Sequence, residues 1–264
     1  MMLHYKGLVV LVTGASSGLG EAFAEQFAER GCTLILVARS EEKLQMLALR
    51  LQSKYGIDTV VLAADLAQPM EVNRLVSEIK GRGIRVDLLV NNAGAGIFER
   101  FLDAPLEEQQ KEIALNVSSL VALSYAFLPD MVARRKGGVI NLSSSAAFQP
   151  LPGANIYAAT KSFVLLFSEA LSQELDGTGV QVLAVCPGPV ATAFFADKRP
   201  SIAQSKMDDP KQIVRESLRA FDLGKRVVIP GKWMVRMTAF GVRFLPRTMV
   251  ARVAEKTAYQ LNQR

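Results

Sequence analysis

The sequence predicts an α/β fold, a doubly wound parallel β-sheet with helices on both faces, in a single domain with a helical C-terminal extension. Three observations lead there. Short, wholly apolar runs alternate along the chain with longer stretches of helical periodicity. The apolar runs lack in–out alternation, as expected of strands covered on both faces. Repeated strand-then-helix order gives parallel neighbours joined by right-handed crossovers. With 264 residues, half of them hydrophobic, the chain has enough apolar material for one large core.

Leu8 to Val12 is the first strand. Thr13-Gly14-Ala15-Ser16-Ser17-Gly18-Leu19-Gly20 follows, and Ala22, Phe23, Phe27 and Ala28 then mark one face of a helix. A strand, a glycine-rich turn and a helix N-terminus make a phosphate cradle. The glycines admit the anion to the backbone, and the helix end offers free N–H groups and partial positive charge. Gly14, Ser16, Ser17, Gly18, Leu19 and Gly20 are the candidate contacts.

Thr33 to Val37 is the second strand, ending in Ala38-Arg39-Ser40. An acid at this strand end hydrogen-bonds the ribose 2′-OH of NAD, whereas an arginine takes the extra phosphate of NADP. No acid stands here and Arg39 does, so NADP(H) is expected rather than NAD(H). Glu41 to Lys54 reads as a helix and Thr59 to Ala63 as a strand, with Asp65 and Leu66 after it. Pro69 opens a helix to about Arg82. Asp87 to Val90 is the fourth strand, ending in Asn91-Asn92-Ala93-Gly94, where small residues and amides suit close contact with a cofactor.

Pro105 opens a long helix to about Arg135, with Asn116 in its interior, a position that disfavours an amide with nothing to do. Gly137-Gly138 ends it. Val139 to Leu142 is a strand closed by Ser143, Ser144 and Ser145. A helix runs from about Asn155 to Asp176, then Val180 to Cys186 is the sixth strand, followed by Pro187-Gly188-Pro189-Val190-Ala191-Thr192. Phe194 to Asp209 has no periodicity and reads as a lid. The glycine turn, Asn92, the serines and Pro187 all follow strand carboxyl ends, the edge where ligands bind in open α/β sheets.

Tyr157 and Lys161 stand four apart, one turn apart on one helix face. A free phenol, with a pKa near ~10, is a poor proton donor or acceptor at neutral pH. An ammonium beside it favours the phenolate.

These motifs, in this order and spacing, resemble the short-chain dehydrogenase/reductase family, nearer its shorter branch than its extended one. The resemblance runs from about Lys6 to Thr192 and implies a Rossmann fold and NADP(H)-dependent interconversion of a carbonyl and a secondary alcohol. It implies that Tyr157 is the general acid or base and that Ser144 bonds the substrate oxygen. Lys161 would lower the tyrosine pKa and hold the nicotinamide ribose, and Asn116 would hold a water in the proton relay. Asp65 would meet the adenine amino group and Thr192 the nicotinamide amide, with Asn92, Ala93, Gly94, Pro187, Gly188 and Val190 as further cofactor contacts. It also implies a homo-oligomer, a tetramer or dimer, paired through the helices at 105–135 and 155–176. The same motifs leave two other readings open: a cofactor-binding sensor or scaffold without turnover, and another reaction on the same fold, such as epimerisation.

Composition narrows the rest. One histidine, His4, and two cysteines in apolar surroundings make a His/Cys metal site unexpected. No run reaches the ~18 to 20 apolar residues of a membrane span, and no signal-peptide pattern opens the chain, so a cytoplasmic location is expected. Residues 225–264 hold nine Lys/Arg and one acid, Glu255, which puts the whole net charge of +6 in that segment. Charge therefore divides the chain at 224. There is no basic stripe with interleaved aromatics elsewhere, which excludes nucleic acid as a partner. In the extension Trp233, Met237, Phe240 and Phe244 share one helix face and Arg236, Arg243 and Arg247 another, with Pro246 as a break. That pattern suits peripheral contact with an anionic membrane, and equally a subunit interface or a roof over the pocket. Phe98, Phe101, Phe148, Phe194 and Phe195 are candidate walls for an apolar substrate or parts of the core.

Overall fold

The computed structural model describes residues 4–192, 194 and 207–262, with side chains as far as 256. Most of the lid expected from Phe194 to Asp209 lies outside the described residues. The strands are β1 (Val9–Thr13), β2 (Thr33–Ala38), β3 (Thr59–Ala63), β4 (Leu88–Asn91), β5 (Gly137–Leu142), β6 (Val180–Val185) and β7 (Val227–Val228). All pair in parallel, in the order β3-β2-β1-β4-β5-β6-β7. The helices are α1 (Gly18–Glu29), α2 (Glu41–Tyr55), α3 (Pro69–Gly81), α4 (Leu106–Ile113), α5 (Ser119–Ala133), α6 (Asn155–Glu174), α7 (Pro210–Asp222), α8 (Trp233–Gly241) and α9 (Arg247–Asn262).

The two-residue period of a strand sends alternate apolar side chains to opposite faces, and each face has its own core. Val10, Val12, Leu34, Leu36, Leu88 and Val90 meet Phe23 and Phe27 of α1, Leu44 of α2 and Leu218 and Phe221 of α7. Leu11, Ile35, Val37, Leu89, Val139 and Val182 meet Leu75 and Ile79 of α3 and Leu123, Phe127 and Met131 of α5. Strand order reverses between β1 and β4, and the crevice at such a switch point is the binding edge of doubly wound sheets.

The single helix expected from Pro105 to Arg135 is α4, a π-helical turn at Ala114–Ser118, and α5. π turns inside α-helices are frequent at functional sites, and Asn116 is the central residue of this one. The extended helical run 106–133 is also long and apolar enough to cross a membrane, with a mean hydropathy of 1.3. Here its α5 part lays apolar residues, Leu123, Phe127 and Met131, against the sheet. Two elements had no clear signal, α7 and the short edge strand β7. The latter falls just past the charge boundary at 224, so the sheet continues into the basic segment.

Candidate active site

The carboxyl ends of the central strands open into a cavity of about 900 Å³. Gly14, Ser16, Ser17, Gly18, Leu19, Arg39, Asp65, Leu66, Asn92, Ala93, Gly94, Ser144, Tyr157, Lys161, Pro187, Gly188, Val190 and Thr192 all line it. Gly20 and Asn116 are buried behind its wall.

At one end is the glycine turn. Gly18 has φ +60°, a left-handed conformation that favours glycine. A Cβ on Gly20 would stand 2.1 Å from the Gly14 carbonyl oxygen, so only glycine lets α1 start this close to the strand end. Asn92 has a different task from direct ligand contact alone. Its Nδ2 donates to the carbonyls of Thr13 (2.8 Å) and Gly14 (3.2 Å), while Thr13 Oγ1 accepts from the N–H groups of Asn92 and Ala93. The end of β4 thereby holds the turn open. The space before α1, with the helix's first N–H groups unpaired within the helix, fits a dinucleotide's phosphates. Arg39 is exposed at the far end of the cavity, and Lys43 lines it too. Lys43 was missed, although a second cation four residues after Arg39 is a visible signal for a phosphate.

At the other end is the reactive cluster. Tyr157 and Lys161, on successive turns of α6, are both buried. Lys161 Nζ donates to the Leu142 carbonyl at 2.8 Å and lies 5.8 Å from the centre of the Tyr157 ring. The three serines separate by what they bond. Ser143 Oγ donates to the Lys161 carbonyl at 2.7 Å, fixing α6 to the end of β5. Ser144 Oγ accepts from Ala146 N at 3.1 Å, and its hydroxyl is near enough to the Tyr157 phenol to pull the phenol's pKa down. Ser145 donates its N–H to the Pro187 carbonyl at 2.8 Å.

Asn116 Oδ1 accepts from Ala95 N (2.9 Å), and its Nδ2 donates to Ala95 O (2.9 Å) and Thr160 Oγ1 (3.0 Å). A Cβ on Gly94 would stand 3.1 Å from Asn116 Oδ1 and 3.3 Å from Lys161 Nζ, so both polar groups close on that bare backbone.

Electrostatics correct one expectation. Burial pushes the Tyr157 phenol up to about 12; the Ser144 hydroxyl opposes this and the Glu112 charge reinforces it. Lys161, expected to lower the phenol, is not among the groups that shift it; loss of solvation is the largest cause. Burial also lowers Lys161 to about 8, against the pull of Glu112 and Cys186. Tyr157 is thus a neutral proton donor at neutral pH, with a hydroxyl beside it and a lysine behind it. That set can bind an oxygen, give it a proton and steady a developing negative charge.

The wall around Tyr157 is aromatic. Phe98 and Phe194 have ring centres 5.5 and 5.7 Å from Tyr157 and 6.2 Å from each other. Of the other candidate phenylalanines, Phe101 is half exposed, Phe148 packs on Leu165, Ala184 and Cys186, and Phe195 lies outside the described residues. Val235 of α8 closes on Gly188, where a Cβ would stand 2.8 Å from it.

Residues 8–203 match the family model described as short chain dehydrogenase. The very-long-chain 3-oxoacyl-CoA reductase of Bos taurus is 32% identical over 220 residues, covering 82% of this chain and 69% of that protein. A short-chain dehydrogenase from Sphingobium yanoikuyae, solved in complex with NADPH, superposes with a TM-score of 0.80 at 35% identity, over 89% of this chain and 93% of that one. A 7beta-hydroxysteroid dehydrogenase structure superposes with a TM-score of 0.87 at 27% identity, over 97% of this chain and 100% of that one.

Proposed function

This chain belongs to the short-chain dehydrogenase family, and from that premise we propose how its own residues carry out the reaction. It is an oxidoreductase that interconverts a carbonyl and an alcohol with NADP(H). When bound, NADP(H) supplies the hydride, and the protein supplies position and a proton. Gly14, Gly18 and the start of α1 hold its pyrophosphate, Arg39 with Lys43 and Ser16 its 2′-phosphate, Asp65 its adenine, and Lys161 and Thr192 its nicotinamide end.

Tyr157 is the general acid in reduction and the base in oxidation. As negative charge gathers on the substrate oxygen, Tyr157 and Ser144 donate hydrogen bonds to it. Lys161 steadies the phenolate left behind, and Asn116 orders the backbone on its far side. The observation that carries this reading is that Tyr157 and Ser144 line one cavity at the strand carboxyl ends with Lys161 buried beside them, its Nζ 5.8 Å from the Tyr157 ring centre.

The substrate is an apolar carbonyl compound, a reading supported by Phe98, Phe194, Leu115 and Leu151 along the cavity. The chain forms a homo-oligomer, a tetramer or dimer. Support comes from exposed apolar residues on the expected helices: Leu106 and Ile113 on α4, Tyr125 on α5, and Phe163 and Leu166 on α6. Residues 225–264 carry the basic excess, and their helices α8 and α9 touch a membrane peripherally. Two free, buried cysteines suit a reducing, cytoplasmic setting. The test is a panel of ketones and alcohols with NADPH and NADP. Consumption of NADPH by apolar ketones is expected; inertness toward the whole panel would overturn the reading.

A further inference from the structure

α4 is inside out. Its buried residues are Gln109 and Glu112, while Leu106 and Ile113 face outward. A helix against a core ordinarily buries its apolar side, and burying polar groups is costly unless they are bonded. Here the bonds run to the backbone of one loop. Gln109 Nε2 donates to the carbonyls of Phe101 and Ala104, both at 2.9 Å. Glu112 Oε2 accepts from Ile97 N at 3.1 Å. Asn116 continues the stripe on Ala95. Residues 109, 112 and 116 therefore grip the loop at successive points along its length.

The gripped loop touches the reacting group. Gly96 lies between the two anchored residues, Ala95 and Ile97, and a Cβ there would stand 2.8 Å from Tyr157 Cδ2 and 3.1 Å from Phe98. Phe98, next after Ile97, sets its ring against that of Tyr157. A shift of Ile97 must move both Gly96 and Phe98 relative to the phenol. A packed wall either holds one position or opens, because close-packed groups have little slack.

We propose that Glu112, assisted by Gln109, is a positioning residue that sets substrate specificity, clamping the 95–104 loop so that Gly96 and Phe98 bound the space beside Tyr157. The clamp acts by hydrogen bonding, and Glu112 does not touch substrate. The proposal rests on Tyr157 as the reacting group.

The experiment compares Glu112→Leu with Glu112→Gln. Glutamine keeps an oxygen to accept from Ile97 N; leucine takes that acceptor away from the half-buried N–H. Two readouts are taken. Hydrogen exchange of the 95–104 segment in the free protein needs no substrate: faster exchange is expected for leucine and wild-type exchange for glutamine. The ratio of kcat/KM for acetophenone to that for acetone, with NADPH, should then change by about tenfold in Glu112→Leu. It should stay unchanged in Glu112→Gln: both variants lose the charge that acts on Tyr157 and Lys161, so that loss falls on both ketones alike and cancels in the ratio. Exchange unaltered by leucine overturns the clamp. Raised exchange with an unaltered ratio leaves a merely structural bond and overturns the specificity role, as does a glutamine variant as impaired as leucine. If Glu112→Leu does not fold, Gln109→Leu is read in the same two ways, with a smaller expected change. Wild-type protein inert on both ketones fails the catalytic reading, while exchange still decides the clamp.

Discussion

Lys161 Nζ donates to the Leu142 carbonyl while Ser143 Oγ donates to the Lys161 carbonyl, so the end of β5 and the second turn of α6 hold each other from both sides. The lysine is fixed in place at the cost of its solvation, and burial lowers it to about 8. If its positive charge is needed, kcat/KM for NADPH, which reports the free enzyme, should fall as pH rises past about 8. Unfolding does not predict this. From about 8 up to the ordinary lysine value of 10.5, the unfolded chain binds the extra proton. Lys161's own contribution to stability therefore rises with pH across that window. A kcat/KM profile flat to pH 10, measured alongside the melting temperature, would contradict the role given to the charge.

Tyr157→Phe removes the proton and keeps the ring, so packing against Phe98 and Phe194 is retained. Turnover should fall by about 10²- to 10⁴-fold, the range of general acid–base catalysis. NADPH binding, titrated by fluorescence, should change little. A variant as active as wild type would show that the proton comes from elsewhere.

Arg39 and Lys43 both line the cavity beyond the end of β2, and no acid follows that strand directly. Arg39→Asp should weaken NADPH and improve NADH. Lys43→Ala should weaken NADPH alone, by less, since lysine is a point charge and arginine can bond the phosphate twice. Dissociation constants for both cofactors check this. Equal affinity of the wild type for the two would remove the premise.

The sheet was legible because each central strand is buried on both faces, leaving apolar runs with nothing else to signify. The cavity edge was legible because glycine, asparagine, serine and proline cluster after strand ends. What the sequence hid depends on contacts between distant segments. α4 carries its apolar residues outward and its polar residues inward, so periodicity alone reports a helix and mistakes its sides. The π turn around Asn116 has no composition signal. β7 is two residues long and pairs only with β6, too short for any pattern. The resemblance picked Ser144 from the three serines, but the separate partners of Ser143 and Ser145 could not be read from sequence.

The inverted α4 also bears on assembly. Leu166 projects from α6 and is 66% exposed. In a dimer paired through α4, α5 and α6, Leu166→Glu would place a charge in an apolar contact and should shift the protein to monomer in light scattering, with the fold intact by circular dichroism. Wild-type protein already monomeric at micromolar concentration would count against the pairing.

The basic extension presents the most exposed apolar surface. Trp233, Met234, Met237, Phe240, Phe244, Leu245, Met249 and Val253 are all exposed, and Phe240 and Phe244 pair at 5.0 Å. The inner side is committed to the domain: Val235 closes on Gly188, Ala239 and Val250 are buried, and Arg236 bonds Glu216 and the Ile229 carbonyl. So α8 packs on Gly188, which lines the cavity, and still leaves an apolar face outward, beside exposed Arg247, Arg252 and Lys256. A patch of this kind marks an interaction surface. A two-fold contact would set the patch against itself and bring two strongly basic segments together. An anionic bilayer complements the charge, with each basic residue near the surface contributing about 1 kcal/mol. Trp233 is the chain's single tryptophan, so its emission reports the contact directly. Anionic vesicles at low salt should blue-shift it and sediment the protein, added salt should reverse both, and Phe240→Glu with Phe244→Glu should abolish both without changing the melting temperature. No shift with anionic vesicles, or an equal one with neutral lipid, would reject the membrane. Conversion of an oligomer to a smaller species by the same two substitutions would assign the face to a second copy instead.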